Sequence, residues 1–158
     1  MQKITTFLWF DSQAEEAVNF YTSLFANSKI LEVARYPGEE VGQPGPVLTV
    51  AFVLEGQEFT ALNGGPQFKF TEAISLVVNC GSQQEVDKYW NALTADGGEE
   101  SMCGWLKDKY GLSWQIVPTV LGELLGSSDR EAAGRAMQAM LQMRKLDVQI
   151  LQDAYDNK

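Results

Sequence analysis

The sequence has no histidine and only two cysteines, Cys80 and Cys103. Histidine is the most common metal ligand and the most common general base near neutral pH. Its absence excludes Ser-His-Asp and Cys-His nucleophile systems. The two cysteines lie far apart without a Cys-x-x-Cys spacing, so they do not make a zinc site by themselves. The commonest hydrolytic and zinc-dependent mechanisms therefore have no residues here to carry them.

Positive charge is also scarce, with 12 Lys and Arg against 21 Asp and Glu and a formal net charge of −9. Such a chain repels phosphate backbones and anionic membrane surfaces, so we expect neither nucleic acid nor membrane as a partner. No apolar run approaches the roughly 20 residues that span a bilayer. Two cysteines are too few for a disulfide framework, which favours a cytoplasmic location.

What the sequence does contain is enough apolar material for a core. The hydrophobic fraction is 45%, with four Trp, five Tyr and eight Phe in 158 residues. This composition argues against disorder. We expect residues 1–158 to form a single domain, with smaller modules inside it.

The order strand, helix, strand, strand, strand is predicted twice. A first module spans residues 4–63 and contains the glycine- and proline-rich loop 37–46. A second module spans residues 73–118. Each helix follows an S-x-x-E capping box, at Ser12 and at Ser82, and such a box marks a helix start.

The two predicted helices share an aromatic pattern at the same spacing. Tandem copies of one supersecondary unit would explain it, because each copy is too small to bury its apolar face alone. Chance similarity between two amphipathic helices is the alternative. The matched residues are Phe20, Tyr21 and Leu24 in the first helix and Tyr89, Trp90 and Leu93 in the second.

The stretch from Met102 to Thr119 reads as two strands joined by an Asp-Lys-Tyr-Gly turn. Pro118 lacks the N–H that a strand ladder needs, so it ends the second strand. If this hairpin closes a cupped sheet, its inward side chains form one wall of a pocket. Residues 119–158 follow as a helical tail, with a capping box predicted at Ser128 and a helix cap predicted at Asp147. This tail either covers its own chain or reaches across a dimer partner.

Three segments carry a resemblance to a known superfamily. They are FLWFDSQAEEAVNFYTSLF, ALNGGPQFKF and CGWLKDKYGLSWQIVPTVLGELL. Together they resemble the vicinal oxygen chelate superfamily of glyoxalase and bleomycin-resistance proteins, and its PhnB-like branch in particular, along about the whole chain including the tail. The resemblance implies an α+β fold in which two βαβββ modules form a cupped eight-stranded mixed sheet, with C-terminal helices added. It also implies a homodimer.

Metal-using members of this superfamily carry His or Glu on the first and last strands of each module. Carried over by strand parity, these positions fall at Ile4 or Thr6, at Ala61 or Asn63, at Ala73 or Ser75, and at Gln115. None of them is His, Asp or Glu. Tight binding of a divalent cation needs anionic or imidazole ligands. We therefore expect no metal and no cofactor.

The resemblance and the missing metal ligands together predict a small-molecule-binding protein or a metal-free enzyme with a small-molecule ligand. Gln115 either contacts that ligand or bonds a neighbouring strand, and Asn63 either lies at the cavity mouth or is a turn residue. Cys103 is either a reactive thiol or a small buried apolar residue. No catalytic residue can be assigned. The candidate cavity residues are Thr6, Trp9, Asn63, Ser75, Cys103, Trp105 and Gln115.

Three other functions remain as alternatives. A metal-dependent lyase, isomerase or dioxygenase of the same superfamily is one, and a non-catalytic drug-sequestering protein is another. A methyltransferase of the common fold is disfavoured, because that fold needs a glycine-rich turn after its first strand. The first predicted strand here ends in Phe10-Asp11-Ser12-Gln13, without glycine.

Overall fold

A computed structural model describes residues 2–158. The chain divides into two compact units, unit 1 up to Phe70 and unit 2 from Thr71 onward. Each unit contains one four-stranded mixed sheet. The predicted single domain of residues 1–158 stays a prediction.

Unit 1 contains β1 Thr6–Phe10, α1 Ala14–Leu24, β2 Lys29–Pro37, β3 Pro44–Leu54 and β4 Gln57–Asn63. Unit 2 contains β5 Ser75–Cys80, α2 Gln83–Thr94, β6 Glu99–Glu100, β7 Trp105–Lys107, β8 Ser113–Pro118, α3 Thr119–Leu125, α4 Arg130–Met140 and α5 Val148–Asp156.

In unit 1 the strand order is β1-β4-β3-β2, with β1 parallel to β4 and the other neighbours antiparallel. Helix α1 packs against β3 and β4. Its buried stripe consists of Ala14, Ala17, Val18 and Tyr21. A helix with one apolar stripe is stable only when that stripe is covered, and the sheet covers it here.

The sheet of unit 2 repeats this arrangement as β5-β8-β7-β6, with β5 parallel to β8. Helix α2 buries Val86, Trp90 and Leu93 and contacts β5, β7 and β8. The identical order and direction of strands confirm the predicted pair of βαβββ modules and the α+β class. The eight strands fall into two four-stranded sheets.

The capping predictions succeed at two of four helices. Ser82 caps α2 by accepting from Glu85 N at 3.2 Å, and Asp147 caps α5 by accepting from Ile150 N at 3.0 Å. At α4 the cap is Asp129, which accepts from Ala132 N at 3.0 Å, one residue after the predicted Ser128. At α1 the prediction is wrong, because Gln13 is the N-cap residue and neither it nor Ser12 forms the predicted capping bond.

The C-terminal helices form a small core with the end of β8. Leu121, Leu124, Ala136, Leu146 and Leu151 are buried there. This cluster shows that α3, α4 and α5 pack onto one another, which removes their apolar side chains from water.

The tail is anchored to α2 through one side chain. Gln83 Oε1 accepts from Val148 N at 2.8 Å, and Gln83 Nε2 donates to Leu146 O at 3.0 Å. Nearby, Lys145 Nζ lies 3.0 Å from Asp87 Oδ1. Hydrogen bonds from Gln83 and then from Lys145 lower the pKa of Asp87. The tail therefore covers unit 2 of its own chain.

From Gln2 to Lys158, no helix combines the length and the apolar character needed to cross a bilayer.

Candidate functional site

The sheet of unit 2 has one side turned toward α2 and one side turned away from it, which we name the open face. Alternation along the strands places Leu106, Trp114 and Ile116 on the α2 side, where all three are buried. Register then places two rows on the open face. One row is Ser75, Ser113 and Lys107, and the other is Val77, Gln115 and Trp105.

Gln115 and Ser75 are joined by a direct hydrogen bond. Gln115 Nε2 donates to Ser75 Oγ at 2.9 Å, from the third residue of β8 to the first of β5. Both residues are half-buried. The structure thus brings two predicted site residues together.

Trp105 stands beside this pair. It is the direct cross-strand partner of Gln115 and is half-buried. Side chains of directly opposed residues in an antiparallel pair lie within contact reach. Three predicted site residues from three adjacent strands therefore share one side of one sheet.

The sequence patterns did not predict two further polar side chains of the open face, Ser113 and Lys107. Ser113 is fully buried, and its hydroxyl has no hydrogen-bond partner among the described residues. Lys107 forms an ion pair with Glu72, which precedes β5. The hydrogen bond to Glu72 is the main cause that raises the pKa of Lys107, and the same bond lowers the pKa of Glu72.

The hairpin that carries β7 and β8 is held by a buried carboxylate. Asp108, only 2% exposed, accepts from Tyr110 N at 2.9 Å and from Leu112 N at 3.1 Å through Oδ1. Its Oδ2 accepts from Trp114 Nε1 at 2.9 Å. An aspartate that opens a turn bonds the amides two to four residues on, so the Asp-Lys-Tyr-Gly pattern contained this signal.

Both cysteines lie in contacts within unit 2. Cys103 lies before β7 in a left-handed conformation with φ of 59°, and its N–H donates to Met143 O at 2.7 Å. It is therefore part of the contact between the hairpin and the tail, outside the strand rows of the open face. Cys80 is fully buried. This burial is the main cause that raises the pKa of its thiol to about 11, and the charge of Glu85 is the second cause.

In unit 1 the structure places Thr6 and Asn63 on the side of the sheet that α1 covers. Thr6 pairs with buried Phe59, and Asn63 pairs with buried Phe10. The parity assumed for strands β1 and β4 was therefore wrong by one residue. A shift of one residue moves every side chain of a strand to the other face.

Asn63 replaces the missing cap of α1. Its Oδ1 accepts from Ala14 N at 2.8 Å, and its Nδ2 donates to Val47 O at 3.1 Å. Both ends of the amide are used inside unit 1. Neither the cavity-mouth interpretation nor the simple turn interpretation describes this residue, because it is a helix cap supplied from 49 positions away in the sequence.

Trp9 lies on the side of the unit 1 sheet opposite Thr6, by strand alternation. Its Nε1 donates to Gly65 O at 2.9 Å, and its ring meets Phe68 edge-on with centroids 4.9 Å apart. A Cβ at Gly64 would come within 2.4 Å of the indole ring. Trp9 therefore holds the segment after β4 against the sheet.

The donor set does not fit a divalent cation. Ser75 and Gln115 are neutral and bond one another, and Asn63 is used as a cap. From Gln2 to Lys158, no three Cys, Asp or Glu side chains converge as metal ligands would. Neutral amide and hydroxyl oxygens alone give a divalent ion too little charge compensation.

The paired βαβββ units, with these strand positions, define a protein of the vicinal oxygen chelate superfamily, PhnB-like branch. Residues 2–117 match the model of a family described as 3-demethylubiquinone-9 3-methyltransferase. The chain belongs to this family. The match ends within β8 and does not include the helical tail, although the resemblance had been expected to include it.

Several solved structures are similar to this chain. The PhnB protein from Bacillus cereus, which carries the same methyltransferase description, is 42% identical with a TM-score of 0.67; the alignment covers 75% of this chain and 100% of that one. Protein PA1353 from Pseudomonas aeruginosa is 18% identical with a TM-score of 0.60, covering 75% and 98%. The fosfomycin resistance protein FosX from Listeria monocytogenes, complexed with Mn(II) and sulfate, is 14% identical with a TM-score of 0.54, covering 80% and 98%. The last two show the fold alone. Among curated proteins, none matches this chain.

Proposed function

We propose that the protein binds a small-molecule ligand on the open face of unit 2, without a metal ion. The observation that carries this proposal is the Gln115–Ser75 hydrogen bond beside Trp105. A few convergent polar groups next to an aromatic surface are typical of ligand sites. No group here qualifies as an acid–base pair, so binding, rather than a named reaction, is the function that the geometry supports.

Metal-free binding follows from the ligand chemistry at the strand positions. The FosX structure contains Mn(II), but that ion belongs to a protein 14% identical to this one. Here the two positions on unit 2 hold Ser75 and Gln115, which compensate no positive charge. A metal-dependent lyase, isomerase or dioxygenase would need other ligands.

The methyltransferase activity in the family description finds no support in the fold. Enzymes of the common methyltransferase fold use a parallel doubly wound sheet with a glycine-rich turn after the first strand. Both sheets here are mixed, and β1 is followed by Asp11, Ser12 and Gln13 before α1 begins.

The experiment is a fragment screen in which binding is followed by ¹H–¹⁵N correlation spectra. The protein is purified without chelator, and elemental analysis of the same sample measures its metal content. We expect hits to shift the indole resonance of Trp105, assigned with Trp105→Phe, and the side-chain amide of Gln115. Gln115→Leu should abolish these shifts, whereas Gln142→Leu on an exposed turn should not. Stoichiometric metal in the sample, or hits that leave both resonances unmoved, would contradict the proposal.

We also propose that two copies of the chain associate as a homodimer. Strand β2 supports this, because it is an edge strand with exposed Ile30, Leu31, Val33 and Tyr36. An exposed apolar edge is a template for pairing with another strand. A second β2 laid antiparallel about a two-fold axis between Val33 and Ala34 would place Glu32 of each copy opposite Arg35 of the other. Such a self-complementary contact is what two-fold symmetry requires.

Light scattering after size exclusion tests the dimer by a charge swap. The wild type should elute with twice the mass of one chain. Glu32→Arg should weaken association at least tenfold, and the double variant Glu32→Arg with Arg35→Glu should restore it. Glu39→Arg, in the loop between β2 and β3, is the matched control. If the wild type stays monomeric at about 100 µM, its dissociation constant is too high for a stable dimer, and the proposal is wrong.

A further inference from the structure

On the open face of unit 2, the acceptor Gln115 Oε1 lies beside the hydroxyl donor of Ser75. We infer that its ligand carries an uncharged planar group with adjacent N–H and C=O, as a lactam or a cis amide does. This inference rests on the proposed function and specifies the chemical class of its ligand. It is carried by the hydrogen-bond inventory, the charge and the aromatic neighbour of the Gln115–Ser75 pair.

The inventory starts from the bond between the two side chains. Because Gln115 Nε2 donates to Ser75 Oγ, the serine oxygen is used as an acceptor and its own O–H remains to donate. Gln115 Oε1 accepts no hydrogen bond from any described residue. The second N–H of Gln115 Nε2 also remains to donate. The pair therefore offers an acceptor, Gln115 Oε1, beside two donors, the Ser75 hydroxyl and that N–H. A lactam edge supplies complementary groups, with its N–H toward Gln115 Oε1 and its C=O toward a neighbouring donor.

The charge of the open face disfavours an anionic ligand. Its one ammonium, on Lys107, is ion-paired with Glu72, and Glu99 lies opposite Lys107 on β6. These groups leave a net negative charge beside the pair. A ligand carboxylate would lose hydration without gaining a cationic partner, and a buried unpaired charge is strongly unfavourable.

The third feature is the aromatic surface. Trp105 is the cross-strand partner of Gln115, so its side chain leaves the sheet on the same face, within contact reach of the amide. Planar groups stack on indole rings in offset or edge-on arrangements. A flat ring that bears the lactam could therefore contact Trp105 while its edge bonds Gln115 and Ser75.

Three probes of similar size separate these features. They are 2-quinolinone, N-methyl-2-quinolinone, which lacks the N–H, and 2-naphthoate, which is planar and anionic. Binding is followed by the ¹⁵N-labelled indole resonance of Trp105 and the side-chain amide of Gln115 in the full chain. We expect 2-quinolinone to bind at least tenfold more tightly than either of the other two probes. Loss of one hydrogen bond to an unpaired partner accounts for a factor of about ten.

Variants identify the two contacts. Gln115→Leu and Ser75→Ala should each weaken 2-quinolinone at least tenfold, while Gln142→Leu should leave its affinity unchanged; circular dichroism checks that each variant is folded. Equal affinity for 2-quinolinone and its N-methyl derivative at Trp105 would overturn the lactam inference and leave the proposed function standing. Tighter binding of 2-naphthoate would overturn the charge argument. If none of the probes moves either resonance, the lactam inference is wrong, and the fragment screen alone decides the proposed function.

Discussion

Asp108 Oδ2 accepts a hydrogen bond from the indole nitrogen of Trp114 at 2.9 Å, inside the turn that joins β7 to β8. The same carboxylate bonds two backbone amides of that turn. Because β7 carries Trp105 and β8 carries Gln115, this one buried side chain sets the geometry of the strands that build the candidate site.

Asp108→Asn should reduce the free energy of unfolding by about 1–3 kcal/mol, the cost of leaving a buried polar group unsatisfied. The new amide nitrogen would face the N–H of Trp114, so two donors would meet. Urea unfolding followed by circular dichroism measures the loss. Asp11→Asn, on an exposed residue, should change stability by less than about 0.5 kcal/mol. Equal stability of the two variants would show that Asp108 does not hold the hairpin.

Asn63→Ala should destabilise the protein by about 1–2 kcal/mol, in the range measured for lost helix caps. It removes the acceptor for Ala14 N and the donor for Val47 O. Ser12→Ala is the matched control, because the sequence suggested Ser12 as the cap and the structure does not use it. Thermal or urea unfolding of both variants compares the two assignments. A larger loss of stability for Ser12→Ala than for Asn63→Ala would show that Ser12, and not Asn63, caps α1.

Gly64→Ala should destabilise unit 1 by about 1–3 kcal/mol, as overpacking does. The added Cβ would lie within 2.4 Å of the Trp9 ring, so the ring or the segment must move. Near-ultraviolet circular dichroism and urea unfolding report both effects. Gly134→Ala, within α4 and with no atom near its added Cβ, should instead raise stability by up to about 1 kcal/mol. If Gly64→Ala leaves the free energy of unfolding unchanged, the Trp9 ring moves aside without a measurable cost and the prediction is wrong.

The Glu72–Lys107 ion pair should make a small contribution to stability that depends on pH. The pKa of Glu72 is lowered from 4.5, so its share is present above that value and is lost as pH falls through the folded pKa. The pKa of Lys107 is raised from 10.5, so its share is present below that value and is lost as pH rises through the folded pKa.

Urea unfolding of the wild type and Lys107→Met across this range tests the pair. The difference between them should be largest between about pH 5 and 10 and should shrink at both ends. Because both side chains face solvent, added salt should reduce it as well. A difference that persists unchanged at pH 3 would point to packing of the lysine stem as its source.

Much of the fold could be predicted from residues that act locally. Ser82 and Asp147 cap their helices as expected, because a cap bonds amides within the next turn. The periodic apolar residues of α1 and α2 located both helices, and the repeated order of elements identified two like modules. The strands were found for the same reason, since alternation is a property of consecutive residues.

The candidate site was only partly predictable. Gln115, Ser75 and Trp105 were selected, and they meet on one face. Thr6 and Asn63 were assigned to the cavity with the wrong parity, because the sequence does not state which residue of a strand faces the helix when polar and apolar residues share both faces. Asp108 was seen as a turn residue, but its bond to Trp114 depends on how the indole packs.

The sequence alone determined the class of fold and the scarcity of cations and histidine. These are properties of composition and of short-range spacing. Only the tertiary structure decided that Asn63 caps α1, that the tail packs on its own chain, and that Ser75 and Gln115 bond each other across strands 40 positions apart. Those contacts join distant parts of the chain, and their partners are chosen by packing and strand register, which no local pattern encodes.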